Sequence, residues 1–228
     1  MKSETTPRKP SRPEPKRKRA NGDLKTEIGQ LKRERIIDAA VDQFAEHGYH
    51  GVSVESVADS LGVTKPFIYY TFRDKNELLV AICRRAADLT VSAMQTVDEI
   101  PASPLDRLEV FCRRLANIIL DNTKFLAVYT REEPFLPEKE RIEIEGLRGL
   151  IDRHVCKLLV GATRDGDADV RDPRTTATAI TTMISALWYW YGRKRKPADR
   201  DETIETVVTL AMRMAGAKPK ARTTMPEA

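Results

Sequence analysis

The stretch TKPFIYYTFRDK, Thr64 to Lys75, sets Phe67, Tyr69, Tyr70 and Phe72 among Lys65, Arg73 and Lys75. A helix buried on all sides would not carry those charges, and a fully exposed one would not carry four aromatic rings. Ile68 and Phe72 stand four apart, so on a helix they share one face, with Val63 pointing the same way. Thr64, Lys65, Tyr69 and Tyr70 then fall on the opposite face. Thr64 is a suitable N-cap, and Pro66 sits in the first turn, where no hydrogen-bond donor is lost. The stretch therefore reads as a short helix with an apolar inner face and a polar-aromatic outer face.

The flanking sequence gives that helix a setting. In SVESVADSLG, Ser53 caps a helix whose apolar stripe is Val54, Val57, Ala58 and Leu61, and Gly62 permits a sharp turn. Upstream, Ile37, Ala40, Val41, Phe44 and Ala45 follow helical spacing, predicting a helix over about 29–47 that Gly48 stops, with Tyr49 packing back on its last turn. Downstream, Asp74 caps a fourth helix, Glu77 stands three residues on as in a capping box, and Leu78, Ile82, Ala86, Leu89 and Ala93 carry it to about Val97. Two short helices about a glycine turn, with a longer one in front, form a helix-turn-helix layout. Its second helix would present Thr64, Lys65, Pro66, Tyr69 and Tyr70 to the major groove of double-stranded DNA, with Lys75 and Ser53 placed for phosphates.

These residues carry a resemblance. The pattern F-x-x-x-G-Y (Phe44 to Tyr49), the stretch from Ser53 to Val63, and the spacing of Thr64, Ile68, Tyr69, Phe72, Lys75 and Leu78 resemble the tetracycline-repressor (TetR) family of bacterial transcription regulators. The resemblance covers about residues 31–91. It implies Val57, Ala58, Gly62, Val63, Ile68 and Phe72 as the core of the motif. Lys65-Pro66 departs from the small residues common there, which narrows backbone freedom at the reading end. Over residues 30–77 six Lys/Arg face eight Asp/Glu, so net charge does not carry the DNA-binding reading.

Charge is concentrated elsewhere. Of the net +5, residues 1–22 contribute eight Lys/Arg against Glu4 and Glu14, or +6, leaving −1 for the rest. With Pro7, Pro10, Pro13 and Pro15 and few apolar residues, residues 1–28 read as a disordered basic arm that meets a polyanion or merely solubilises. Residues 217–228 read as a disordered tail. The arm has no apolar core of a secretory signal, and no apolar run reaches the roughly 18 residues of a membrane span, so the expected location is the cytoplasm without membrane contact. Cys83, Cys112 and Cys156 are too few and too scattered for a disulfide framework or a zinc site, and read as packed side chains.

The expected fold class is all-α: a helix-turn-helix domain over 29–75, then a helical domain over 76–216. Helices are predicted from Ser103-Pro104 through Ile119, near Phe125 to Tyr129, over about 137–159, 173–191 and 201–215. A pocket among Phe111, Leu115, Phe125, Tyr129, Leu147, Ile151, Ile184 and Trp188 would be mostly apolar, with Arg131, Arg141 or Arg148 at its mouth for a carboxylate or phosphate. The second half loosely resembles TetR-type regulators of lipid and sterol breakdown, which implies an acyl-CoA thioester as effector. The family resemblance further implies that the last two long helices pair with their copies in a homodimer, through Ile184, Leu187, Tyr191, Ile204, Val207, Val208 and Ala211. No cofactor or metal is expected. DGDADVRDP has Val170 and Thr176 where a calcium loop needs glycine and glutamate. His154 and Cys156 point to different sides of one helix, and no nucleophile or phosphate motif occurs, so an enzyme is disfavoured. A basic-armed interaction module without operator preference is the rival reading.

Overall fold

The computed structural model describes residues 16–194 and 199–218, and among them there are helices and no strands. The order is α1 (Lys16–Gly51), α2 (Val54–Ser60), α3 (Lys65–Tyr69), α4 (Lys75–Ser92), α5 (Pro104–Asp121), α6 (Thr123–Glu132), a 3-10 turn (Glu133–Phe135), α7 (Glu138–Arg164), α8 (Pro173–Ser185), α9 (Leu187–Lys194) and α10 (Arg200–Met214).

The caps fall where side chains can make them. Ser53 accepts from Ser56 N–H while the Ser56 hydroxyl meets Ser53 N–H, a reciprocal capping box. Asp74 accepts from Glu77 N–H at 2.7 Å. Glu77 reaches past the cap to Arg73 N–H, also at 2.7 Å, rather than to Asp74 itself. Ser103 and Asp172 cap α5 and α8. Gly48 takes φ 74° inside α1, bending the last turn so that the Tyr49 ring meets Phe44 edge-on at 5.4 Å.

Three boundaries differ from expectation. Helix α1 starts at Lys16, inside the stretch expected to be disordered, because Pro15 is the last proline of that stretch and the Lys, Arg, Glu and Leu that follow favour helix. Residues 1–15 and 219–228, most of the expected arm and tail, lie outside the described residues. Helix α4 stops at Ser92 instead of Val97: the chain turns through Thr96 at φ 62°, held by Arg114, whose guanidinium donates to Gln95 O at 2.7 Å and to the Thr96 hydroxyl at 3.2 Å. The single helix expected over 173–191 breaks at Ala186, which redirects α9 from α7 towards α5 and α6.

One continuous core runs from Ile36 and Phe44 of α1 through Leu78 and Ile82 of α4 and Phe111, Leu115 and Ile119 of α5 to Ile184, Leu187 and Ala211. Helix α5 is its axis, packed by α7, α8 and α10, while α6 lies against both α1 and α4. The acidic loop after α7 holds the end of α10. Asp169 N–H donates to Gly216 O at 3.1 Å and Lys218 N–H to Asp167 O at 3.0 Å. A Cβ at Gly216 would stand 2.3 Å from the Asp169 carbonyl oxygen, so only glycine admits this docking.

Candidate nucleic-acid interface and the cavity behind it

Beneath α3, Ile68 and Phe72 are buried with Val57 and Ala58, Val63 is half-buried, and Gly62 turns the chain at φ 65°. This seals the inner face and leaves the outer one to solvent. Thr64, Lys65 and Pro66 are exposed, Tyr69 is 42% exposed and Tyr70 95%. Thr64 occupies the N-cap position yet makes no capping hydrogen bond, whereas the Ser53 hydroxyl is spent on its own cap. Lys65 pairs with Glu55 and lies 5.5 Å over the Tyr69 ring. That hydrogen bond raises the Lys65 pKa and lowers that of Glu55, so the ammonium is fixed as a cation at the edge of the tyrosine face.

Lys75 is placed differently from Lys65. Its ammonium sits 4.2 Å over the Tyr49 ring, half-buried, and burial lowers its pKa against the opposing pull of Glu132. It belongs to the junction between α1, α4 and α6 rather than beside Tyr69 and Tyr70.

That junction is built by α6. Glu132, only 3% exposed, accepts from Tyr49 N–H at 3.3 Å and from Arg131 Nε at 2.7 Å. Arg131 also donates to the carbonyls of Phe44 and Ala45, satisfying the end of a helix just before its kink. At the other end of α6, Lys124 pairs with Asp42 at 2.6 Å. Arg131, expected at a pocket mouth, is therefore a tie between α6 and α1.

Behind the junction lies a cavity of about 480 Å³ among α4 to α9. Of the residues expected to line a pocket, Leu115, Tyr129, Arg148, Ile151 and Trp188 do so. Phe111, Phe125 and Ile184 are buried in the core outside its lining, and Leu147 packs on that core. Arg141 pairs with Glu145 at 2.9 Å along α7, away from the lining. The cavity is mostly apolar, as expected, but it also carries a polar side that the sequence reading lacks. Thr90, Thr130, Thr178, Thr181, Thr182 and Ser185 bring hydroxyls to it, and Asp152 accepts from Thr181 at 2.7 Å and Thr178 at 3.2 Å. The signal was present in the sequence: Thr178, Thr181, Thr182 and Ser185 repeat at i, i+3, i+4, i+7, a hydroxyl stripe on α8. Arg148 donates to the Tyr129 hydroxyl and to Glu133 at 3.0 Å, and burial pushes the Tyr129 pKa up to about 12.

The residues expected at a subunit interface are also relocated. Ile184, Leu187, Ile204, Val207, Val208 and Ala211 are all buried within one chain, and Tyr191 is half-buried. Helices α8 to α10 are apolar on more than one side because α5 packs against all three, with α7 also on α8, α6 on α9 and α8 on α10. The large apolar side chains that α9 and α10 leave exposed are Tyr189, Leu210 and Met214, the last two four apart on one face. No group of His, Cys, Asp or Glu among the described residues could hold a metal, and no described helix is long and apolar enough to cross a membrane.

Comparison with known proteins covers both halves of the chain. The family described as "Bacterial regulatory proteins, tetR family" matches residues 36–82, and "Tetracyclin repressor-like, C-terminal domain" matches 101–215. The HTH-type transcriptional activator FasR of Mycolicibacterium smegmatis is 23% identical over 79% of this chain and 81% of its own length. The HTH-type transcriptional repressor KstR of Mycobacterium tuberculosis is 23% identical over 84% of this chain and 85% of its own. Among solved structures, AibR in complex with isovaleryl coenzyme A and operator DNA superposes with a TM-score of 0.69 at 19% identity, over 82% of this chain and 100% of that one.

Proposed function

This chain belongs to the TetR family of bacterial regulatory proteins, whose members named above are transcriptional regulators and not enzymes, and from that premise we propose that it is a transcriptional repressor released from its operator by a small molecule. The carrying observation is the exposed pair Tyr69 and Tyr70 beside Thr64 and Lys65, held by a helix whose inner face is sealed by Ile68 and Phe72. Among the described residues that face stays open to solvent, and its hydroxyls and cation suit base edges and phosphates. Two copies, meeting through Leu210 and Met214, bring two such helices to a palindromic site with half-sites about 34 Å apart or a multiple of it. The basic arm adds phosphate contacts that strengthen binding to any sequence.

The effector reading rests on the cavity. Its volume lies in the range of small-molecule sites, roughly 300–1,000 Å³. Leu115, Ile151 and Trp188 suit a short acyl chain, and the hydroxyl stripe suits the amide and thioester groups behind it. Arg148 can take an anionic group. A short-chain acyl-CoA thioester fits this order of chemistry, as does the isovaleryl coenzyme A that AibR carries. KstR, named a repressor, supports the repressor sign. FasR, named an activator, is the reason to measure it.

The decisive experiment is selection of duplexes from a random-sequence pool by the full chain at physiological salt. A palindromic sequence should be enriched and protected from nuclease. Retention of every sequence alike, disappearing as salt rises, would leave only a polyanion-binding module. With that duplex, isovaleryl coenzyme A should raise the melting temperature and release the DNA, while free coenzyme A does neither.

A further inference from the structure

Helix α6 lines the cavity and holds the DNA-reading half with adjacent residues. Leu126, Tyr129 and Thr130 face the cavity. Arg131 and Glu132, the next two, hold the last turns of α1 through Phe44, Ala45 and Tyr49. Among the described residues Glu132 is the one buried carboxylate, and its charge is felt by Tyr49 at the end of α1 and Lys75 at the start of α4. Those two helix ends bracket α2 and α3, and the carboxylate holds the first of them through Tyr49 N–H while its charge favours the cation at the second.

The following residue points the other way. Glu133 accepts from Arg148 Nη2 at 3.0 Å, the same nitrogen donates to the Tyr129 hydroxyl, and the guanidinium lies 5.3 Å over the Tyr129 ring. Arg148 also lines the cavity. One peptide unit thus joins a carboxylate committed to the DNA-binding half and a carboxylate committed to the cavity's cation.

We propose that Glu132 and Glu133 form a lever: an anionic ligand group that takes Arg148 from Glu133 frees the turn Glu133–Phe135, loosens the hold of Glu132 on α1, and so weakens DNA binding. This rests on the reading of the chain as an effector-released regulator. A carboxylate or phosphate competes directly with Glu133 for the planar guanidinium, and once bound it repels Glu133. Glu132 cannot follow without leaving Arg131 and Tyr49 N–H, so the arrangement has two discrete positions rather than a graded one. Glu132 and Glu133 are positioning residues: neither is on the face of Tyr69 and Tyr70. The fold also supplies a reason for the two acidic residues to be adjacent, since an intervening residue would turn one of them by about 100° around the helix and off its partner.

The test breaks the Arg148–Glu133 tie without any ligand, in the full chain, on the duplex enriched from the random pool. Glu133→Gln and Arg148→Met each remove the ion pair from one side. Each should weaken duplex binding within the roughly 5- to 150-fold range of allosteric couplings, with the melting temperature nearly unchanged. The double variant should be no weaker than either single one, because the same tie is already broken. The charge swap Glu133→Arg with Arg148→Glu should recover most of the affinity, a rescue that a purely packing role would not give. Duplex affinity within twofold of the parent in both single variants, or losses that multiply in the double variant, overturns the lever. A parent chain that enriches no duplex at all overturns the regulator reading instead, so the two failures are told apart.

Discussion

The helix-turn-helix end and the α8–α10 end both show aromatic and apolar residues on more than one side of a helix, yet for opposite reasons. On α3 the second side is exposed: Tyr70 is 95% open while Ile68 and Phe72 lie inside. On α8 to α10 the second side is covered by the chain itself, so Ile184, Leu187 and Val207 are as buried as any core residue. Two-sided apolarity therefore means a binding face only where too few neighbouring helices exist to cover it. At the N-terminal end α3 packs chiefly on the equally short α2, which cannot enclose it; at the other end α5 is long enough to pack against α8, α9 and α10 together.

Placing a charge where the two ends differ should break the likeness most strongly. Leu187→Glu puts a carboxylate into a fully buried position without a partner, a cost of several kcal/mol that is a large share of a domain's total stability. The expected result is loss of the cooperative thermal transition, not a folded monomer. A folded, monomeric Leu187→Glu protein in sedimentation would return that residue to a subunit interface.

Leu210→Glu should do what Leu187→Glu cannot. Leu210 is 40% exposed, so the chain keeps its melting behaviour while the proposed pairing with its copy is abolished. Because two linked reading heads gain roughly 10²–10⁴ in avidity, duplex affinity should fall by about 100-fold or more. Sedimentation of Leu210→Glu as an intact dimer moves the interface off this face.

At the other end, Tyr69→Ala and Tyr70→Ala should each leave fold and assembly intact and weaken specific binding by about 1–3 kcal/mol, roughly 5- to 150-fold. Non-specific binding should hardly change. Unaltered nuclease protection by both variants would show that the open aromatic face is not the reading face. Removing residues 1–22 should have the converse signature: weaker binding to every duplex with sequence preference kept. The log–log salt slope should then shrink by about 0.9 for each phosphate that the arm no longer neutralises.

What the sequence made legible follows the same division. Caps and i, i+4 pairs are local, so Ser53, Asp74, Ser103 and the Ile68–Phe72 face could be read from neighbours in the chain. The family, the all-α class and the order of helices follow from such local signals. What could not be read depends on distant residues. The contacts of Lys75 with the Tyr49 ring and with the charge of Glu132 come from residues distant in sequence and could not be read from its spacing. Arg131 looked like a pocket mouth until the carbonyls of α1 met it. The turn at Thr96 is held by Arg114, eighteen residues away in sequence. The cavity is the extreme case, since it exists where several helices fail to meet: Leu115, Tyr129, Arg148, Ile151 and Trp188 could be picked out as its lining, but Phe111, Phe125 and Ile184 could not be told apart from them.

The smallest effect concerns the thiols, and it turns the comparison into a measurement on α6 itself. Cys83 and Cys112 are fully buried and burial pushes each thiol up to about 12, while Cys156 on α7 is half-buried. At pH 8 a thiol of pKa 12 is thiolate in about one part in ten thousand, too little to react at a useful rate. A thiol reagent should therefore modify one cysteine quickly in the native protein and three after denaturation, and Cys156→Ser should abolish the fast one without changing duplex affinity. Cys83 adds a finer reading. After burial itself, the charges of Glu133 and Glu132 are what raise its pKa, so it sits beneath the C-terminal end of α6. If that end stays closed, Cys83 should remain silent; if Arg148→Met lifts it, Cys83 should label faster while Cys112, on α5, does not. Equal acceleration of both thiols would point to general loosening of the C-terminal half, whereas selective exposure of Cys83 would locate the movement at the helix that joins the two ends.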